Sequence, residues 1–93
     1  MNAEQIDEAR LATMLRALSH PVRLQIVRTL SECGDQQCID LTREASLAQS
    51  TVSEHLRVLK EAGLIEQCGP GSRTGYCLKR EALLWFKQTV IAL

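Results

Sequence analysis

The 93-residue sequence predicts a mainly α-helical domain carrying one small β-hairpin. Three observations lead there. Apolar residues recur at helical spacing in four separate segments. Two short apolar runs flank Gly69-Pro70-Gly71, which cannot continue a strand. Ninety-three residues suffice for one domain, 1–93, with no internal repeat, low-complexity run or interdomain linker.

Within residues 4–18, Leu11, Met14, Leu15 and Leu18 share one helical face. Ser19-His20-Pro21 resets the chain. Ser19 is a candidate cap for the next helix, and Pro21 fits its first turn. Val22, Ile26, Val27 and Leu30 line that helix, which ends near Glu32 with Gly34 available as terminator. Asp35 to Cys38 reads as a turn or very short strand, Ile39 to Ala45 as a short helix, and Ser46 to Ala48 as a turn. A further helix runs from Gln49 to about Ala62. Val52, Leu56 and Leu59 fall at i, i+4 and i+7 on its inner face, with Ser50, Glu54 and Arg57 opposite. Gly63 stops it. Leu64 to Cys68 reads as a strand, residues 69–73 as a turn, and Thr74 to Leu78 as the returning strand. Residues 80–92 form a last helix, apolar around most of its circumference through Leu83, Leu84, Trp85, Phe86, Val90 and Ile91.

Composition bounds the function. The net charge is zero, a mild argument against nucleic-acid binding, because phosphate contacts supply much of that affinity. The distribution leans the other way. Arg43 to Glu81 holds six Lys/Arg against five acids, whereas the residues before it hold four against six. Apolar content of 45% supports a core and an interface besides. A domain of this size buries only roughly 60–65% of its unfolded surface and gains from a partner. No apolar stretch reaches membrane-spanning length and no signal peptide is evident, so a cytoplasmic protein is expected.

A helix with an apolar back and a front of small polar groups suits resting on a domain while reading the DNA major groove. On that reading Gln49 and Ser50 sit nearest the bases, where a Gln side chain can bond adenine twice. Thr51, Ser53 and Arg57 are better placed for phosphates. His55 lies at the edge of the apolar face, equally suited to a core-edge hydrogen bond or a phosphate. Glu54 either accepts from cytosine or pairs with Arg57 at i+3. Arg73, at the tip of the hairpin, is either a solvated charge or a contact to backbone or minor groove. Trp85 and Phe86 suit core or a dimer seam better than a ligand box.

Helix, helix, short helix, helix, hairpin, helix is a winged helix-turn-helix, α-α-(β)-α-α-β-β-α. Ala17-Leu18-Ser19-His20-Pro21-Val22-Arg23-Leu24-Gln25-Ile26-Val27 resembles the opening signature of the ArsR/SmtB family of bacterial repressors. Residues 49–65 resemble its recognition helix, and Gly71 to Leu78 its wing. The resemblance covers nearly the whole chain. It implies a homodimer through residues 5–18 and 80–93, bound to double-stranded DNA at a palindromic operator and released by an inducer, often a metal ion. The best-known metal ligands of that family are missing. In place of a Cys-x-Cys-Asp-Leu element stands Gln36-Gln37-Cys38-Ile39-Asp40-Leu41, and residues 80–93 contain neither Asp nor His.

The four cysteines therefore carry the question of the signal. None makes a C-x-x-C pair, which disfavours a zinc ribbon or a thioredoxin-type enzyme. Cys68 and Cys77 either pack in the two strands or join a sensor. Cys33 and Cys38 flank a polar loop. In a winged helix the segment before the short helix commonly adds a strand beside the returning strand, which would bring Cys38 against Cys77. Cys33, Cys38 and Cys77 are thus candidates for binding As(III) or another soft ion, or for reversible oxidation. Two other classes stay open: a winged-helix module for protein partners, kept alive by the neutral charge, and a thiol redox enzyme, disfavoured by the absence of an evident base. The reading adopted is a DNA-binding regulator, not an enzyme.

Overall fold

The structure, a computed structural model, describes residues 7–32, 49–68 and 75–93. Their order is α1 (Glu8–Leu18), α2 (Pro21–Glu32), α3 (Gln49–Glu61), β1 (Ile65–Cys68), β2 (Gly75–Leu78) and α4 (Arg80–Ile91). The strand and helix expected over 35–45, the turn 46–48 and the hairpin turn with Arg73 lie outside the described residues, as do Cys33 and Cys38.

Asp7 fixes the start of α1. Its carboxylate accepts from the Arg10 amide at 3.0 Å, satisfying one of the amides that a helix leaves without a partner. Ser19 closes the same helix instead of opening the next: its hydroxyl donates to the Arg16 carbonyl at 2.7 Å. The cap expected of Ser19 is supplied by His20. The His20 Nδ1 accepts from the Val22 amide at 3.1 Å, while its carbonyl takes the first helical bond, from Leu24 at 2.9 Å. Pro21 then occupies the first helical position, where no N–H is needed.

α3 ends in a Schellman closure. The Leu64 amide donates to the Leu59 carbonyl at 3.1 Å and the Gly63 amide to that of Lys60 at 3.0 Å. The motif needs a left-handed residue between them, and Gly63 supplies φ +81°. This explains why β1 starts one residue later than expected: the Leu64 N–H is already committed to the helix end. The Leu64 carbonyl accepts from Lys79 at 2.8 Å and closes the base of the hairpin. β1 and β2 pair antiparallel, with Ile65 opposite Leu78 and Cys68 opposite Gly75.

One core joins these elements. Met14 and Ala17 of α1, Ile26, Val27 and Leu30 of α2, and Val52, Leu56 and Leu59 of α3 are all buried in it, with Leu64, Ile65 and Ala82. Trp85 and Phe86 of α4 pack half-buried against its side. The Arg10 guanidinium lies 4.0 Å from the Trp85 ring centre and ties α4 to α1. The outer parts of these two helices keep apolar side chains in solvent: Leu15 on α1, and Leu84, Val90 and the 85% exposed Ile91 on α4. No helix among the described residues is long and apolar enough to cross a membrane.

Candidate nucleic-acid interface

α3 separates its two faces as its spacing dictates. Val52, Leu56 and Leu59 are buried, while Thr51, Ser53, Glu54 and Arg57 are exposed. Gln49 and Ser50 form its first turn. The helix thus presents hydroxyls to solvent from a back fixed in the core, on the same rigid segment that leads through Gly63 into the hairpin.

Arg57 has a fuller set of partners than its spacing from Glu54 alone suggested. Its Nε donates to Glu54 at 3.1 Å and one terminal nitrogen to Glu61 at 2.9 Å, while the other terminal nitrogen bonds the second Glu54 oxygen. The carboxylates hold the Arg57 proton more tightly still, and the hydrogen bond from Arg57 lowers the Glu54 pKa from its ordinary value. All three side chains remain more than half exposed, so solvent screens the attraction.

His55 belongs to the core edge, not to the exposed face. It is only 9% exposed, and its ring centre lies 4.4 Å from that of His20. Arg23 donates to the His55 Nδ1 at 3.4 Å; a guanidinium has no acceptor, so that nitrogen is the unprotonated one. The same Arg23 donates from Nε to the Ala17 carbonyl at 2.7 Å. One side chain on α2 thereby satisfies a carbonyl at the end of α1 and reaches α3, a favourable place for a cation at a helix C-terminus. Burial, then the nearby His20 and Arg23 charges, push the His55 pKa below its ordinary value; only Glu54 opposes them. Sequence reading took His20 and Arg23 as parts of a signature and missed this joint. The signal available was a cation just past a helix break, facing a histidine at the inner edge of α3.

The hairpin corrects the cysteine pairing. Cys77 is joined to Cys68, nine positions earlier, by a disulfide with Cα atoms 5.9 Å apart. Cys77 lies opposite Glu66 and Cys68 opposite Gly75, so the two are diagonal neighbours on one face. Cys77 is thus bonded to Cys68 and not to Cys38, whose expected approach lies outside the described residues. Among the described residues no cluster of three or more His, Cys, Asp or Glu side chains could hold a metal ion.

Comparison with known proteins matches this geometry to a family. Residues 20–67, from the His20 cap through α3 into β1, match the profile of the bacterial regulatory proteins of the arsR family. The chain belongs to the arsR family. It is 35% identical over 79 residues to the HTH-type transcriptional regulator YgaV of Escherichia coli K12, covering 85% of this chain and 80% of that one. It is 43% identical over 56 residues to the biofilm growth-associated repressor of Xylella fastidiosa Temecula1, covering 60% of this chain and 48% of the relative. In structure it is similar to HlyU from Vibrio cholerae N16961, with a TM-score of 0.66 at 23% identity over 92% of this chain and 98% of that one. The arsR assignment and the helix–hairpin order make this a winged helix-turn-helix, with β1–β2 as its hairpin. As an arsR protein it is a DNA-binding transcription regulator, which is not an enzymatic role.

Proposed function

We propose that this arsR protein represses transcription in the cytoplasm as a homodimer on a palindromic operator, with α3 in the major groove and the wing on the flanking backbone or minor groove. The observation that carries the reading is the split of α3, with Thr51 and Ser53 outward while Val52 and Leu59 anchor it. B-DNA's major groove admits such a helix with its N-terminal residues leading. Gln49 and Ser50 read base edges; Thr51, Ser53, Arg57 and Arg73 hold phosphates. His55 acts from behind, by fixing the angle of α3 on α2. The exposed Leu15, Leu84, Val90 and Ile91 supply the dimer seam between α1 and α4 of two copies, on a single-domain chain. Cys33 and Cys38, joined by Cys77 once its bond to Cys68 is reduced, are the candidate thiols for an inducer, with As(III) or another soft ion as the class to test.

Two measurements test this reading. Fluorescence anisotropy with the promoter of its own gene should give specific binding that Gln49→Ala relaxes across sequences and Arg73→Ala weakens uniformly. Sedimentation should give twice the chain mass for the parent and a monomer for Leu84→Asp. A parent that stays monomeric, or binds every duplex with equal weakness, refutes the operator model.

A further inference from the structure

The wing is held by two different means. At its base, Leu64 and Ile65 are buried in the core and Lys79 donates to the Leu64 carbonyl. From there four residue pairs run outward to Cys68 opposite Gly75. A two-stranded ribbon this short is marginal in water without a further staple. The Cys68–Cys77 bond runs diagonally along the ladder, from Cys68 in the outermost pair to Cys77 in the pair next to the base. The 5.9 Å Cα separation lies well inside the range a disulfide spans, and strand register places the two cysteines on one face whenever the strands are paired. Both cysteines are half-buried, which leaves them within reach of small solutes.

We propose that Cys68 and Cys77 form a reversible thiol–disulfide site in the wing, oxidised by low-molecular-weight disulfides, whose closure orders the hairpin and tightens DNA binding. The DNA consequence rests on the operator reading above. In the closing step, a thiolate of the pair attacks the small disulfide, releasing one small thiol and leaving a mixed disulfide. The second cysteine, as thiolate, attacks the protein sulfur of that bond and releases the second small thiol. Two protein thiols are oxidised, one small disulfide is reduced to two thiols, and the two protons pass to the leaving thiolates. Opening reverses these steps.

The effect follows from chain closure. Cross-linking a loop of about ten residues disfavours the open hairpin by up to roughly 100-fold. If the reduced hairpin is ordered for about a tenth to a third of the time, affinity through the wing falls about three- to tenfold on reduction.

The test uses the full chain in a Cys33→Ser/Cys38→Ser background, leaving only the wing pair. Glutathione disulfide should produce an intramolecular Cys68–Cys77 cross-link in non-reducing peptide maps, reversed by reduced glutathione. Hydrogen exchange of the Ile65–Cys68 and Gly75–Leu78 amides should slow by at least tenfold on closure. Anisotropy with promoter DNA should show about three- to tenfold tighter binding by the oxidised form, and Cys77→Ala should bind as the reduced form in both conditions. Absence of the cross-link, unchanged hairpin exchange, or equal affinity in both states each overturns the proposal. A protein that binds no DNA in either state overturns the operator reading, and the hairpin exchange then decides the thiol switch alone.

Discussion

Replacing Gly63 by alanine isolates the joint between α3 and the hairpin. Gly63 holds φ +81°, and a Cβ built on it meets no heavy atom within 4 Å. The substitution therefore carries no clash, only the backbone penalty of a left-handed residue with a side chain. That penalty is about 1–2 kcal/mol, partly offset because alanine restricts the unfolded chain. A net loss of about 1 kcal/mol is expected, lowering Tm by roughly 4–8 °C for a chain of this size. Gly63→Asn should lose less, since asparagine tolerates this region. The assay is urea unfolding at one fixed protein concentration, because association would shift the midpoint. An alanine variant as stable as the parent would show that the Schellman closure does not set the geometry here. A loss above about 3 kcal/mol would show that space, not backbone, is limiting.

Other expectations follow from the same contacts. Leu59→Ala removes a side chain with no exposure at the centre of the core and should cost about 2–5 kcal/mol in the same unfolding assay. His55 has a folded pKa below its ordinary 6.5, so the unfolded chain binds its proton more readily. Its contribution is full above about pH 6.5 and is lost as the pH falls below that value. Urea midpoints at pH 7.5 and 5.5 should differ in the parent and converge in His55→Gln. Glu54, whose pKa is lowered, acts in a separate window, with stability lost only as the pH drops below its ordinary 4.5. Glu54→Gln with Glu61→Gln should leave folding near that of the parent while raising affinity for random duplex. Arg57→Ala should instead flatten the salt dependence by about one unit of slope per subunit, and an unchanged slope there would show that Arg57 does not reach phosphate.

The helices were legible where periodicity alone decides. Val52, Leu56 and Leu59 sit where their spacing put them, and Gly63 ends α3 because only a left-handed residue permits that closure. Caps were less legible, because Ser19 and His20 are adjacent and both can accept an amide; the choice depends on Ser19 turning back to Arg16. The cysteine pairing was not legible, because it hangs on hairpin register. Pairing Leu64 with Leu78 would put Cys68 and Cys77 on opposite faces of the ribbon. The observed pairing of Ile65 with Leu78 moves them to the same face, with Lys79 donating to the Leu64 carbonyl in the same register. His55 was legible only as an alternative, since a residue at the border of a helical stripe turns inward or outward according to neighbours 32 and 35 positions away, Arg23 and His20.

The Arg57 clamp bears on how such a protein would search a genome. Glu54 and Glu61 occupy the guanidinium much as a phosphate would, so any duplex must displace two carboxylates that travel with the protein. A random sequence offers only its backbone in exchange, whereas on the proposed reading an operator would add base contacts from the first turn of α3. On the operator reading, the clamp together with a net charge of zero would shorten residence on arbitrary DNA. Search would then proceed by frequent dissociation and re-encounter more than by long one-dimensional sliding. Copies would remain in solution between encounters, where small-molecule signals can reach them.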